Sequence, residues 1–519
     1  MIPMGGYPTR VRSLDRLLRE TIEARPTAPA LITGPGRAPV GYAELAALVD
    51  ELAARLAVGG LRPGDLVALE AANSVEFVTG LLGAARAGLV VAPIDPALAH
   101  EERADRLDRL GARVVLADPV AAPTNATDDG ACPTWKLTFT PSELHLALDT
   151  PAPPRPTPPD SPELSADDAL VMFTAGTTGR PKMVPWTQRN IEAVLGEIRA
   201  CYELSPADAT VAVMPFFHGH GLIAGLLAPL AGGGCILLPA GGRFSAHTFW
   251  ADLAAAGATW FTAVPTIVEI LLAQADTEHR TNTETRLRFV RTCSAPLNPD
   301  TARAFELLTG APVLAAYGMT ETTHQAASQP FAHGPGKPGT VGRPTGVEAR
   351  IVDDGGGRRP AGAVGEIWVK GPAVTRGYLG DAAETARTFT DGWYHTGDLG
   401  TLDRDGRLTV TGRIKTLINR GGEKIAPEHV EEILDRYPAI AESAVLGRPD
   451  PILGERVVAL VVPRPGRSVD PDRVLEACRD RLARYEVPDD IKAVERIPHT
   501  AKGAIDRTAA LAAYQSTAS

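Results

Sequence analysis

Cysteine is scarce. The 519 residues hold five, Cys132, Cys201, Cys235, Cys293 and Cys478, an odd number set far apart. No CxxC pair or Cys/His ligand spacing occurs, which argues against a zinc site and against a disulfide framework. A reducing, cytoplasmic setting is expected. Basic runs are missing as well. Lysine and arginine number 52 against 62 acidic residues, a formal net charge of −10. The footprint of a nucleic-acid binder is therefore lacking, and no nucleic-acid partner is expected. An anionic ligand must be held by local donors, not by a global positive field. Met1 to Asp15 carries arginines without an apolar stretch, so no secretory signal is expected there. One stretch, Gly221 to Ala240, runs twenty residues without a charge, but Pro229 and Gly232-Gly233-Gly234 break it. It reads as a buried helix followed by the strand Cys235 to Leu238, and no membrane insertion is expected.

What is present is ordinary for a globular chain, with 44% apolar and 22% charged residues. The length calls for a large core and at least two domains. Fifty-one glycines and 45 prolines imply many tight turns. Helical periodicity over Tyr42 to Val58, Ser74 to Ala87 and Glu101 to Leu110 alternates with strand-like runs at Leu66 to Leu69, Val90 to Ile94 and Val114 to Leu116. That alternation predicts an α/β fold built on a mostly parallel sheet. Ala121 to Asp160, with prolines crowded at Pro151 to Pro159, reads as a surface excursion or semi-extended linker. A boundary falls near Thr411 to Lys415. Beyond it helix Pro427 to Arg436, strands Ala441 to Leu446 and Val457 to Val462, and helix Asp470 to Arg484 suggest a small α+β domain.

The strongest local signal is Thr174-Ala175-Gly176-Thr177-Thr178-Gly179-Arg180-Pro181-Lys182, after the apolar strand Ala169 to Phe173. Hydroxyls, glycines and a lysine in a tight turn make a phosphate cradle, although the Walker A pattern is not met. Three further stretches follow in order. They are Ala315-Ala316-Tyr317-Gly318-Met319-Thr320-Glu321, Trp393-Tyr394-His395-Thr396-Gly397-Asp398 and Gly412-Arg413-Ile414-Lys415. Together the four resemble the signature motifs of the adenylate-forming superfamily, over roughly residues 14 to 510. Met214 to Gly221, Arg243 to Trp250, Thr259 to Ile267 and Asn419 to Ile425 look closest to oxalate–CoA ligases and related acyl-CoA synthetases.

The resemblance implies a fold, cofactors and roles. A large N-terminal domain of mixed and parallel sheets, residues 1 to 412, would be joined to a small mobile α+β domain, 413 to 519, that rotates about Lys415. Thr174, Gly176, Thr177, Thr178, Gly179 and Lys182 would hold the phosphates of ATP. Tyr317, Gly318 and Met319 would flank the adenine, with Ser294, Ala295 and Pro296 lining the adenine and acyl pocket. Thr320 would touch the α-phosphate, Glu321 would ligate Mg²⁺, and His218 is a further catalytic candidate. Asp398 and Arg413 would meet the ribose, and AMP would remain as the acyl-adenylate. Gly421 and Gly422 would border a passage for coenzyme A.

The chain also departs from that pattern. Ile497 to Arg507 resembles the family's last motif, but Ala504 stands where the catalytic lysine belongs. Losing one aimed donor of this kind costs roughly 10²–10³ in rate. Lys502 is displaced by about 6–7 Å on an extended strand. Ala175 replaces a usual serine, and Met183 follows Lys182 where glycine is usual. The departures gather on adenylation, so the expected activity is acyl-CoA formation from an acyl-adenylate and coenzyme A, with a separate adenylating enzyme supplying the substrate. A complete carboxylic acid–CoA ligase carrying an engineered Lys-to-Ala change and a non-catalytic adenylate- or CoA-binding protein stand as alternatives. Val268 and Gly318, where oxalate ligases have His and Ala, suggest a roomier pocket for a large apolar acid.

Overall fold

The computed structural model describes residues 14, 21–33, 36–119, 132–174, 181–275, 286–333, 337–421, 423–479, 481–500 and 504–516. The chain forms two compact units, Met1–Glu348 with Val369–Tyr394, and Ala349–Trp368 with His395–Ser519. The first is the large one, and three sheets lie within it.

A seven-stranded sheet runs in the order His145–Asp149, Thr134–Thr140, Val115–Ala117, Leu66–Glu70, Val90–Pro93, Asp168–Phe173, Met183–Thr187. Its inner strands pair in parallel, and an antiparallel hairpin closes each end. Helix Tyr42–Val58 packs beside it because Leu45, Leu48, Val49, Leu52 and Leu56 recur at helical spacing and are all buried. The Gly41 N–H at its start donates to Glu44 Oε2 at 2.6 Å. Ser74 caps helix Val75–Arg86 by accepting from the Phe77 N–H. The second sheet is ordered Trp260–Ala263, Phe289–Thr292, Val313–Tyr317, Ala327–Ser328, Arg343–Pro344. The third is ordered Ala209–Val211, Cys235–Leu237, Pro29–Thr33, Ala38–Gly41.

Ala121 to Asp160 is not a plain linker. Residues 120–131 lie outside the described residues, but Thr134–Thr140 and His145–Asp149 form a hairpin that extends the main sheet. Trp135 and Leu137 are fully buried while Lys136 and Thr138 face outward, a strand alternation masked by the neighbouring prolines. Even the proline run is tied down. Trp135 Nε1 donates to Ala152 O at 2.8 Å, and Arg155 donates to Ala112 O and Leu107 O.

Gly221 to Ala240 is the buried helix and strand its interruptions predicted, with one difference in winding. His220–Leu227 is a π-helix, which runs into helix Ala228–Ala231 and then strand Cys235–Leu237. The cause is close approach: a Cβ on Gly221 would lie 2.1 Å from the Pro215 carbonyl oxygen. Among the described residues no helix is long and apolar enough to cross a membrane.

In the second unit, the Asp398–Leu402 part of strand Trp393–Leu402 pairs antiparallel with Leu408–Arg413, with Asp398 opposite Arg413. A five-stranded sheet follows, ordered Glu423–Ile425, Ile418–Arg420, Gly454–Pro463, Ile440–Asp450, with Asp490–Ala493 on the free side of Gly454–Pro463. Helices Pro427–Asp435, Pro471–Arg479 and Arg507–Ser516 accompany it. The mixed α/β class, with a large N-terminal part and a smaller C-terminal one, is the class expected.

Candidate active site

The hairpin Asp168–Phe173/Met183–Thr187 carries the phosphate-loop candidate between its strands. Its base is closed twice, by Thr174 N–H donating to Lys182 O at 3.0 Å and Lys182 N–H donating to Thr174 Oγ1 at 3.1 Å. Ala175, Gly176, Thr177, Thr178 and Gly179 lie outside the described residues. Met183 is buried among Val171, Phe173 and Leu379, and its carbonyl accepts from the Leu379 N–H. It therefore serves the core. Burial lowers the Lys182 ammonium below its ordinary pKa, while Glu321 pulls it upward.

Strand Val313–Tyr317 delivers the next group. Trp186 Nε1 donates to Thr320 O at 2.7 Å, and Met319 N–H donates to Thr322 Oγ1, which fixes the short turn Thr320–Thr322. Glu321 is buried at its centre, accepting from Tyr378 Oη at 2.8 Å on Oε1. The Glu321 carbonyl accepts from the Thr375 N–H. Burial first, and the Glu321 charge second, hold the Tyr378 phenol well above its ordinary range. Tyr378 and its segment were missed in the sequence, where Thr375-Arg376-Gly377-Tyr378-Leu379 bears no periodic or ligand pattern.

Neither Gly318 nor Val268 opens room for a large acid. A Cβ on Gly318 would lie 1.9 Å from the His324 carbonyl oxygen, so main chain already fills the space that glycine seemed to free. Val268 is fully buried and packs with Phe261 and Leu271 in the core.

Ser294, at the end of strand Phe289–Thr292, is exposed with φ +77°, and Ala295 and Pro296 continue the turn at or near the surface. Behind it lies the most unusual group in the unit. Arg291 is 0% exposed. Its five N–H groups meet five neutral acceptors: Tyr202 Oη at 3.1 Å, Thr262 Oγ1 at 3.1 Å, His220 Nε2 at 3.3 Å, His324 Nε2 at 3.0 Å and Gln325 Oε1 at 3.0 Å. Among the described residues no carboxylate pairs with it. A guanidinium can only donate, so both imidazoles must accept at Nε2 and carry their proton on Nδ1. His220 Nδ1 then donates to Ser294 Oγ at 3.2 Å, linking the cluster to the turn. Burial, then the Arg291 charge, hold both histidines well below their ordinary pKa.

Each member is placed by a separate device. Thr187 and Asn190 form a capping box on helix Gln188–Tyr202, which ends at Tyr202. Thr262 sits opposite Arg291 in the parallel register. Buried Asn73 pins the segment before His220, donating to Ala212 O and Met214 O and accepting from the Phe216 N–H. His218, the residue singled out in that stretch, is half-buried with its ring edge-on to Phe217 at 4.6 Å. It is His220 that enters the buried network. The signal that could have found Arg291 is a lone charge inside the otherwise apolar strand run Phe289-Val290-Arg291.

In the second unit Asp398 is 2% exposed and accepts from Arg413 Nε at 2.6 Å, whose side chain is 56% exposed. Lys415 is exposed on the turn Ile414–Thr416, which Thr416 Oγ1 anchors to Glu428 Oε1 at 3.2 Å. Gly421 has φ +62° and donates to Leu453 O, while Gly422 lies outside the described residues. Ala504 is exposed. Its carbonyl accepts from the Thr500 N–H, and His499 bridges to Ile505. Arg507 donates to Glu431, Glu428 and Val445 O.

Comparison with known proteins matches two family descriptions. Residues 18–379 match "AMP-binding enzyme", and residues 429–504 match "AMP-binding enzyme C-terminal domain". The chain is 41% identical over 472 residues to the "Probable CoA ligase CCL9" of Humulus lupulus, covering 90% of each. It is 39% identical over 513 residues to the oxalate–CoA ligase of Arabidopsis thaliana, covering 95% of this chain and 97% of that one. Among solved structures, ATP-bound MatB from Rhodopseudomonas palustris superposes with a TM-score of 0.85 at 30% identity, over 98% of this chain and 99% of that one. The match spans Thr174–Lys182, the Tyr317–Glu321 turn and the Arg291 cluster alike, and the chain belongs to the AMP-binding enzyme family, as an acyl-CoA synthetase of its adenylate-forming kind.

Proposed function

We propose that this protein forms an acyl-CoA thioester from an acyl-adenylate and coenzyme A, and is poor at making that adenylate from ATP and the free acid. The observation that carries the reading is Ala504. The adenylating step brings a carboxylate against a triphosphate, and a bridging ammonium offsets their repulsion; a methyl group supplies neither charge nor donor. Nothing comparable is missing for the second step, in which a thiol attacks and AMP leaves. A separate adenylating enzyme would then supply the substrate.

The residues fit the groups the family uses. Glu321 is one buried carboxylate, and among the described residues no cluster of three His, Cys, Asp or Glu forms a closed metal cage. That donor set suits Mg²⁺, which takes one or two carboxylates and completes its shell with phosphate oxygens. Bound there, the ion neutralises phosphate charge. Asp398, held by Arg413, offers acceptors for ribose hydroxyls. Glycine at 421 and 422 brings no side chain to a pantetheine passage, and Lys415 is the hinge about which the C-terminal part turns.

The acid we favour is short and carries a second negative group. The uncompensated Arg291 charge beneath the Ser294 turn supports this, since a carboxylate about 6 Å away would gain about 2–3 kcal/mol at an effective dielectric near 20. Synthetic adenylates of oxalate and of a long apolar acid, each offered with coenzyme A, test both parts. Acyl-CoA should form faster from the oxalyl-adenylate, and a Gly422→Leu variant should bind the adenylate yet lose turnover. No turnover of any adenylate would leave a non-catalytic binder, and preference for the apolar acid would reject the assignment to Arg291.

A further inference from the structure

We propose that Glu384 is a latch on Lys182, holding the ammonium and competing with a polyphosphate for it. The inference rests on the reading of Thr174–Lys182 as a phosphate loop. Lys182 Nζ is ion-paired with Glu384 Oε1 and sits 4.5 Å from the centre of the Tyr378 ring. The Tyr378 hydroxyl in turn donates to Glu321 at 2.8 Å. The ammonium is thus one side chain away from the carboxylate suited to a cation, yet it is spent on a residue outside the loop.

Two features make this a latch rather than a permanent brace. Glu384 is buried, 8% exposed, on helix Ala382–Thr388, where its N–H is capped by Asp381 Oδ1. A buried carboxylate with a single cation partner cannot lose it without a large penalty. Glu384 has a second, Arg387, one turn along the same helix and 75% exposed. Lys182 can therefore leave without orphaning the acid. Its own backbone need not move, because Thr174 holds it on one side and buried Met183 on the other. Only the flexible four-carbon stem swings. A triphosphate, with several negative charges, outcompetes one carboxylate for the ammonium, whereas AMP offers no β- or γ-phosphate. When the polyphosphate departs, the ammonium returns to Glu384.

Calorimetric titration of the full chain with Mg-ATP and, separately, with AMP tests the latch. Glu384→Gln should tighten ATP about tenfold and leave AMP unchanged, a coupling of ordinary size. Arg387→Ala, at a residue 75% exposed, should act oppositely and weaken ATP, because Glu384 then clings to Lys182 alone. Lys182→Met should weaken ATP, and Lys182→Met with Glu384→Gln should match it. A Glu384→Gln protein that weakens ATP, or shifts ATP and AMP alike, overturns the latch while Lys182→Met still reports on the loop. If Lys182→Met leaves ATP affinity unchanged, the phosphate-loop reading falls and takes the latch with it.

Discussion

Arg291 carries a charge that no accessible pH removes, in a place where water cannot reach it, so every neighbour must remain an acceptor. That requirement governs His220 and His324, stacked 5.1 Å apart. Protonating either would turn an acceptor into a donor facing a guanidinium. Their folded pKa values lie below the unfolded value near 6.5, so below that pH the unfolded chain binds protons the native chain refuses. Stability is therefore lost as pH falls from about 6.5 toward the folded values, at about 1.4 kcal/mol per pH unit for each histidine. Glu70 and Glu431, raised chiefly by burial, push the other way, so the comparison must be a difference. Denaturant unfolding at pH 7 and pH 5.5 should show a smaller acid loss for His324→Gln than for the parent. Equal losses would mean that His324 does not titrate against Arg291. Little of this cluster was legible in the sequence. Loops rich in glycine and hydroxyls announce a ligand, but Arg291 sits in a strand and meets partners 29 to 89 residues away.

The elements were legible wherever one period ran unbroken. Helix Tyr42–Val58 has the bounds the sequence suggested, because its apolar stripe and polar face never conflict. The hairpin Thr134–Thr140/His145–Asp149 was missed because prolines beside it mimic a linker, although Trp135 and Leu137 alternate correctly. The π-helix His220–Leu227 could not be read at all. Its winding follows from a tertiary contact, the seating of Gly221 on the Pro215 and Met214 carbonyls, and no local propensity encodes that. Gly221→Ala should thus cost about 1–3 kcal/mol of stability in denaturant unfolding, with near-ultraviolet signals of the buried aromatics altered. A neutral result would show that the π-helix does not depend on that contact.

At the scale of the whole molecule, the four motifs announced the family, while the same residues fall in two units. Thr174, Lys182, Ser294 and Tyr317–Glu321 belong to the first; Asp398, Arg413, Lys415, Gly421 and Ala504 belong to the second. The boundary read from the sequence, after residue 412, leaves Asp398 with the first part, and sequence order could not supply the local partners that bias each residue, such as Glu384 on Lys182 or Glu428 on the turn beside Lys415. On the function proposed above, the two half-reactions are unequal in this chain. Acid-dependent ATP–pyrophosphate exchange, measured beside acyl-CoA formation from the matching synthetic adenylate, compares them in one preparation. We expect clear acyl-CoA formation with exchange lower by roughly 10²–10³ than in an Ala504→Lys variant, whose thioester step is unchanged. Robust exchange by the unmodified protein, equal to that of Ala504→Lys, would mean that Ala504 does not impair adenylation.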